Sequence, residues 1–263
     1  MNEPLLGRYD LPLWLASSDH AECVAKFIGI TQTLKTDFII NNDMSNATNE
    51  EHHEVLMRVA IAAKYRSQVM NNHIIRVGYM AEKLSQLMGE SDDFCTKIRY
   101  AATMHEVGMI GILDSTMQKS LATNEYSKIT GYMHCQIGFK ILANSHMPLF
   151  KMAAIIALYY QEKFDGSGYP YKLAGYDIPV AARIVSLVKY FDSVAESANG
   201  VCVTKDFDAA REITNKAVKS FDPQLVKIFL RNINLFIELK NEINKNAHNY
   251  EHLIDYSLNI FTH

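Results

Sequence analysis

The sequence predicts an all-α fold. Apolar residues recur at helical spacing through most of the chain, and no stretch alternates apolar and polar residues over strand length. Six Pro and 12 Gly among 263 residues are also too few for a turn-rich β protein. With 48% of its residues apolar, the chain carries enough to bury a real core in one or two domains.

The elements follow in chain order. Residues 1–50 read as a helical extension, with one amphipathic helix near residues 18–35 capped by Ser17 or Ser18. A single helix cannot bury its face alone, so this one must dock on the body or on a partner. An Asn-rich polar stretch, Asn41 to Asn49, separates it from the capping box Thr48-x-x-Glu51, where the main domain, 51–240, begins. Ile74, Val77, Ala81, Leu84 and Met88 form one stripe, and Gly89 stops it. Ser91 opens the next helix, with Phe94, Ile98 and Ala101 on one face. The pattern returns at Ile129, Met133, Ile137 and Ile141, and at Leu149, Met152, Ala153 and Ile156. After Pro179 it continues through Val180, Ile184, Leu187 and Phe191, then over Phe207 to Val218 and Leu225 to Leu239. A C-terminal segment, 241–263, is polar to Asn249 and weakly amphipathic from Leu253 to Phe261.

One long segment, Glu162 to Pro179, breaks the helical period. Its three glycines, two prolines and three tyrosines describe a shaped loop rather than a flexible linker.

Charge narrows the function classes. Twenty-six basic against 29 acidic residues leave a formal net charge of -3, which provides no global field for DNA, RNA or an anionic membrane. The longest apolar stretch, Met152 to Tyr160, is far short of the roughly 20 residues of a membrane span. Cys23, Cys95, Cys135 and Cys202 form no C-x-x-C pair, and the opening Met1-Asn2-Glu3-Pro4 lacks the basic segment of a secretion signal. A reduced, cytoplasmic protein is the expectation.

Ten histidines are the compositional excess. His73, His105 and His134 are each expected on a helix, on its buried face, and Glu106 adjoins His105. Such a set suits iron, manganese, zinc or nickel between helices. The same three imidazoles also fit as satisfied core residues, and spacing alone leaves both readings open.

Four landmarks turn this pattern into a resemblance. His105-Glu106-Val107-Gly108-Met109-Ile110-Gly111 resembles the H-D-x-G-K-x-G signature of the HD superfamily of metal-dependent phosphohydrolases. Asp165-Gly166-Ser167-Gly168-Tyr169-Pro170 resembles the D-G-x-G-Y-P loop of its HD-GYP branch. Ile178-Pro179 with Arg183-Ile184-Val185, and Phe221-Asp222-Pro223, are similar to its I-P-x-x-x-R-I-V and F-D-P landmarks, in the same order over roughly residues 65 to 235. The resemblance implies an HD-superfamily helical bundle with a long GYP loop and short helical extensions. Intact members are cyclic di-GMP phosphodiesterases with two or three metals, generally iron or manganese, that activate water and neutralise the phosphodiester.

Carried over residue by residue, the resemblance leaves a remnant centre of His73, His105, Glu106 and His134, with Glu106 in place of an Asp. The family's H-H pair becomes Tyr160-Gln161, its Lys becomes Met109, an upstream Glu found in some members becomes Val69, and a ligand Asp becomes Lys189. A non-ligand Asp survives as Asp192. The phosphate-gripping Arg and Lys fall at Ala198 and Val201. Lys189 is expected to replace one metal as the counter-charge, pairing with Glu106; the alternative is that it extends to solvent.

The expected function is therefore that of a catalytically degenerate HD-GYP protein, an interaction module in bacterial cyclic di-GMP-type signalling. Its contact surface is the loop Asp165, Gly166, Gly168, Tyr169 and Pro170, its partner a protein such as a diguanylate cyclase domain. No resident cofactor is expected, and iron or manganese if a residual site holds one. The alternatives are a cyclic di-GMP phosphodiesterase with a reduced metal site, or a non-hydrolysing cyclic-dinucleotide receptor using Arg183 and Lys163.

Overall fold

The structure, a computed structural model, describes residues 53, 55–60, 63, 72–112, 124–196, 210–211, 213–215 and 219–245. All belong to the second of the chain's two compact units, Thr48–His263. The extension expected over 1–50, the capping box, and the positions Val69, Ala198 and Val201 lie outside the described residues, as does everything after Lys245.

Among the described residues there are helices and no strands. Helix α1, His73–Met88, buries Val77, Met80, Ala81 and Leu84 and ends where Gly89 turns left-handed at φ 84°, its N–H donating to the Ser85 and Gln86 carbonyls. Helix α2, Asp92–Ala101, starts at Ser91, whose hydroxyl accepts from the Phe94 N–H at 3.3 Å. Helix α3 spans Asn124–Leu142, α4 Pro148–Tyr159 and α5 Val180–Glu196. Pro148 opens α4 at a position where its missing N–H is not needed.

The last helical stretch differs from its sequence reading. It is two helices, α6 (Pro223–Arg231) and α7 (Ile233–Lys245), broken at Asn232. The Asn232 amide donates to the Ile228 carbonyl at 2.9 Å, competing with the helical ladder. Helix α7 runs past residue 240 with Lys240 and Ile243 buried, so the helical body does not end there.

Helix α1 is the hub: α2, α5, α6 and α7 all pack on it, and α4 bridges α2, α3 and α5. Val77, Ile98, Ile156, Ile184, Phe191 and Phe229 form the continuous core between them, fully buried. The histidine-bearing start of α1 meets the C-terminal half of α5, where His73 lies against Asp192.

The long loop is ordered against the body. Phe164 and Asp165 N–H groups donate to the Ser220 and Lys219 carbonyls, at 3.2 and 2.9 Å. A short 3-10 turn, Gly175–Asp177, precedes α5. Beneath it, Arg183 donates to the Ile178 carbonyl at 2.9 Å and to Asp222. Asp222 in turn caps α6 by accepting from Gln224 N–H at 2.8 Å. Two of the four sequence landmarks thus meet as one structural clamp.

Candidate metal centre

His105 does not lie on a helix, a correction to the sequence reading. Helix α2 ends at Ala101, a 3-10 turn covers Ala102–Met104, and His105 and Glu106 sit in the tight turn before a second 3-10 segment, Val107–Gly111. The Thr103 hydroxyl donates to the Tyr100 carbonyl at 2.7 Å, which favours this tightening. Gly108 makes the turn workable: a Cβ there would lie 1.8 Å from the His134 carbonyl oxygen. The backbone after Glu106 therefore presses directly onto α3 beside His134.

The three imidazoles are anchored differently. His73 Nδ1 lies 2.6 Å from Asp192 Oδ2, and Arg76 grips the same carboxylate twice, at 2.7 and 2.8 Å. Arg76 also donates to Asn244 of α7 at 2.9 Å. Asp192 is fully buried. Burial would raise its pKa, but the hydrogen bonds and charges of His73 and Arg76 outweigh it and hold the carboxyl below its usual range. An Nδ1–H held by a carboxylate turns the Nε2 lone pair of His73 away from Asp192, the arrangement typical of a metal-ligating histidine.

His105 and His134 both direct Nδ1 at a backbone carbonyl, Ala102 at 2.8 Å and Thr130 at 3.1 Å. A carbonyl only accepts, so each Nδ1 carries the hydrogen and each Nε2 a lone pair. Beyond that point they diverge. His105 Nε2 is buried with no hydrogen-bond partner and lies 3.7 Å from Glu106 Oε1. His134 Nε2 accepts from the Tyr160 hydroxyl at 2.6 Å.

Metal-ligating atoms of His73, His105 and Glu106 lie within 4.8 Å of one another. The unpartnered buried nitrogen of His105 and the imidazole–carboxylate donor set fit a metal cation. His134 is not among these three. The Tyr160 hydroxyl takes up the His134 Nε2 lone pair, and burial first of all pushes the phenol far above its ordinary pKa.

Lys189 is partly buried and makes no ion pair with Glu106 among the described residues, contrary to the expected direct pairing. Its charge nevertheless reaches the centre. Glu106 is driven down to about 2 against the effect of burial, by His105 and His73 and then by Lys189.

The loop residues divide. Gly168 is buried, since a Cβ there would meet Lys163 N at 2.3 Å, and Tyr169 packs inward over Gly131 and the core. Both were expected on a contact surface; Gly168 is buried, and Tyr169 is half-buried against the core. Asp165 is exposed and accepts from Ser167 N–H at 2.9 Å, while Gly166 at φ 79° shapes the turn and Pro170 follows a cis bond. Arg183, expected at a nucleotide, is committed to Ile178 and Asp222, with Tyr176 stacked 5.0 Å from its guanidinium. Lys163 is exposed on the loop.

Sequence reasoning missed Arg76, Asn244 and the constructive role of Tyr160. Arg76 left a signal: a charged residue three after His73, inside the apolar stripe of α1.

Burial holds His105 at about 4 rather than the ordinary 6.5, and also lowers His134. The unfolded chain then binds more protons than the folded one once pH falls below 6.5. Metal-free protein is expected to lose stability steadily between pH 6.5 and 4, read as a falling Tm. His105→Gln should flatten that slope, and an unchanged slope would contradict neutral burial of His105.

Comparison with known proteins gives a consistent picture. The HD domain family matches residues 56–225. A cyclic di-GMP phosphodiesterase of Thermotoga maritima is 35% identical over 179 residues, 68% of this chain and 48% of that protein. A 3'3'-cGAMP-specific phosphodiesterase 2 of Vibrio cholerae serotype O1 is 30% identical over 191 residues, 73% of this chain and 37% of that protein. The chain thus spans half or less of the length of these relatives. The crystal structure of a cyclic GMP-AMP-specific phosphodiesterase of V. cholerae superposes with a TM-score of 0.58 at 18% identity, covering 75% of this chain and 53% of the other, a likeness of fold.

Proposed function

Because this chain belongs to the HD-domain family, on its HD-GYP branch, we propose that it works in cyclic-dinucleotide signalling as a non-hydrolysing member, an interaction module in place of a phosphodiesterase. The observation that carries the reading is the Tyr160 O–H donated to His134 Nε2.

A metal held by His73, His105 and Glu106 would supply Lewis acidity to a water or a phosphate oxygen. The chain's own groups argue against turnover around it. His134 is tied to a phenol and cannot take an ion or a proton from substrate without breaking that bond. Met109, where the family has Lys, offers neither charge nor proton. Lys189 brings positive charge where relatives have a carboxylate, and so disfavours a second cation nearby.

The module's contact surface is the outer edge of the loop: Lys163, Asp165, Ser167 and Tyr176, the last 62% exposed. An aromatic ring flanked by charged residues suits a protein partner, with a diguanylate cyclase domain as the class to test. Titration of such a domain from the source organism onto the labelled full chain is expected to give saturable binding, weakened at least tenfold by Tyr176→Ala. No saturation would count against the interaction role.

One observation favours a second reading. The unpartnered His105 Nε2 supports a reduced, single-metal phosphodiesterase. Incubation of the full chain with cyclic di-GMP or 3'3'-cGAMP plus Mn2+ or Fe2+ separates the two. No linear product above the protein-free control is expected; sustained turnover would replace the module reading with the enzyme reading.

A further inference from the structure

The structure assigns the Tyr160 hydroxyl as a built-in occupant of the second-metal position, leaving a centre that takes one cation only. The comparison that carries this is internal to the molecule. His105 and His134 are anchored alike, Nδ1–H to a backbone carbonyl, with Nε2 turned inward. At His105 that nitrogen is buried and unpartnered, beside His73 and Glu106. At His134 the equivalent lone pair is consumed by an O–H donor at 2.6 Å.

Tyr160 is also held in place. It is 2% exposed, and its ring stands edge-on to His105 at 5.1 Å and to His134 at 5.8 Å. Such a ring cannot swing aside without opening the core. The phenol therefore does for His134 what a metal would do, satisfying a buried lone pair, without adding charge. The buried lone pair is thereby satisfied without an ion, because the partner is covalently part of α4's end.

The inference rests on the reading of the chain as a non-hydrolysing member only for its consequence; metal stoichiometry and hydrolysis are measured separately, so either can fail alone. The test titrates Zn2+ into the full chain, following bound metal by elemental analysis and the imidazole nitrogens by 15N NMR. At most one equivalent is expected, moving the His73 and His105 resonances and leaving His134 unchanged. Tyr160→His/Gln161→His/Lys189→Asp is expected to bind a second equivalent and to bring His134 into the response. Two equivalents on the wild-type chain, or a His134 shift there on adding Zn2+, would overturn the assignment. So would a folded triple variant that still binds one. Should that variant not fold, the wild-type His134 resonances decide alone.

Discussion

Replacing Gly108 by alanine is expected to be among the most damaging single changes in this protein. An alanine Cβ would lie 1.8 Å from the His134 carbonyl oxygen and 2.6 Å from Gly138 N, both backbone atoms of α3. A flexible side chain could yield to that contact, but two backbone atoms of a packed helix cannot. The 3-10 segment would have to lift off α3, and His105 and Glu106 would move with it. Overpacking of this kind typically destabilises by about 1–3 kcal/mol and occasionally more; a two-sided backbone clash belongs at or above the upper end, near 3 kcal/mol. Gly89→Ala is the control. Its φ of 84° is unfavourable for alanine, but nothing lies within 4 Å, so about 1 kcal/mol is expected. Urea unfolding of the three proteins checks the ranking, and a Gly108→Ala chain no less stable than Gly89→Ala would refute the packing argument.

Asp192→Ala should have an effect of similar size by a different route. The carboxylate accepts from His73 and twice from Arg76, all three groups buried. Its removal takes the counter-charge and two hydrogen bonds from a buried guanidinium that also donates to Asn244. Breaking a buried charge pair from one side commonly destabilises by about 3–5 kcal/mol, which for a chain of this size corresponds to roughly 10 °C in Tm. Removing both charges is expected to be milder, so Asp192→Ala/Arg76→Met should recover part of the loss. If the double variant is no more stable than the single one, the lost counter-charge of Arg76 is not the cause. Asp192→Ala should also weaken any metal at His73 by about 10- to 100-fold, because the tautomer is no longer held. Zn2+ titration of the folded fraction reads that separately from stability.

These two sites also mark where sequence reading succeeded and where it stopped. The glycine of His105-Glu106-Val107-Gly108 was legible as part of a motif, but its reason, contact with the His134 carbonyl, was not. Asp192 was legible as a surviving acid on α5, but not as the joint between α5 and α1. Lys189 adds to His105 and His73 in holding the Glu106 carboxyl down, yet the expected direct pair with Glu106 is not formed among the described residues. Arg183 reads as a possible nucleotide contact, and in the fold it donates to Ile178 and Asp222.

What the sequence determined by itself was local. The all-α class, the start of α2 at Ser91, the end of α1 at Gly89 and the shaped loop after Tyr160 follow from periodicity, capping and backbone freedom, which act over about four residues. Only the tertiary structure decided the chemistry of the centre. His134 meets Tyr160 across 26 positions, His73 meets Asp192 across 119, and Arg76 meets Asn244 across 168. Spacing along one helix tells which face a side chain occupies. Which nitrogen is left with a lone pair, and whether an ion or a phenol satisfies it, depends on how separate helices pack against each other.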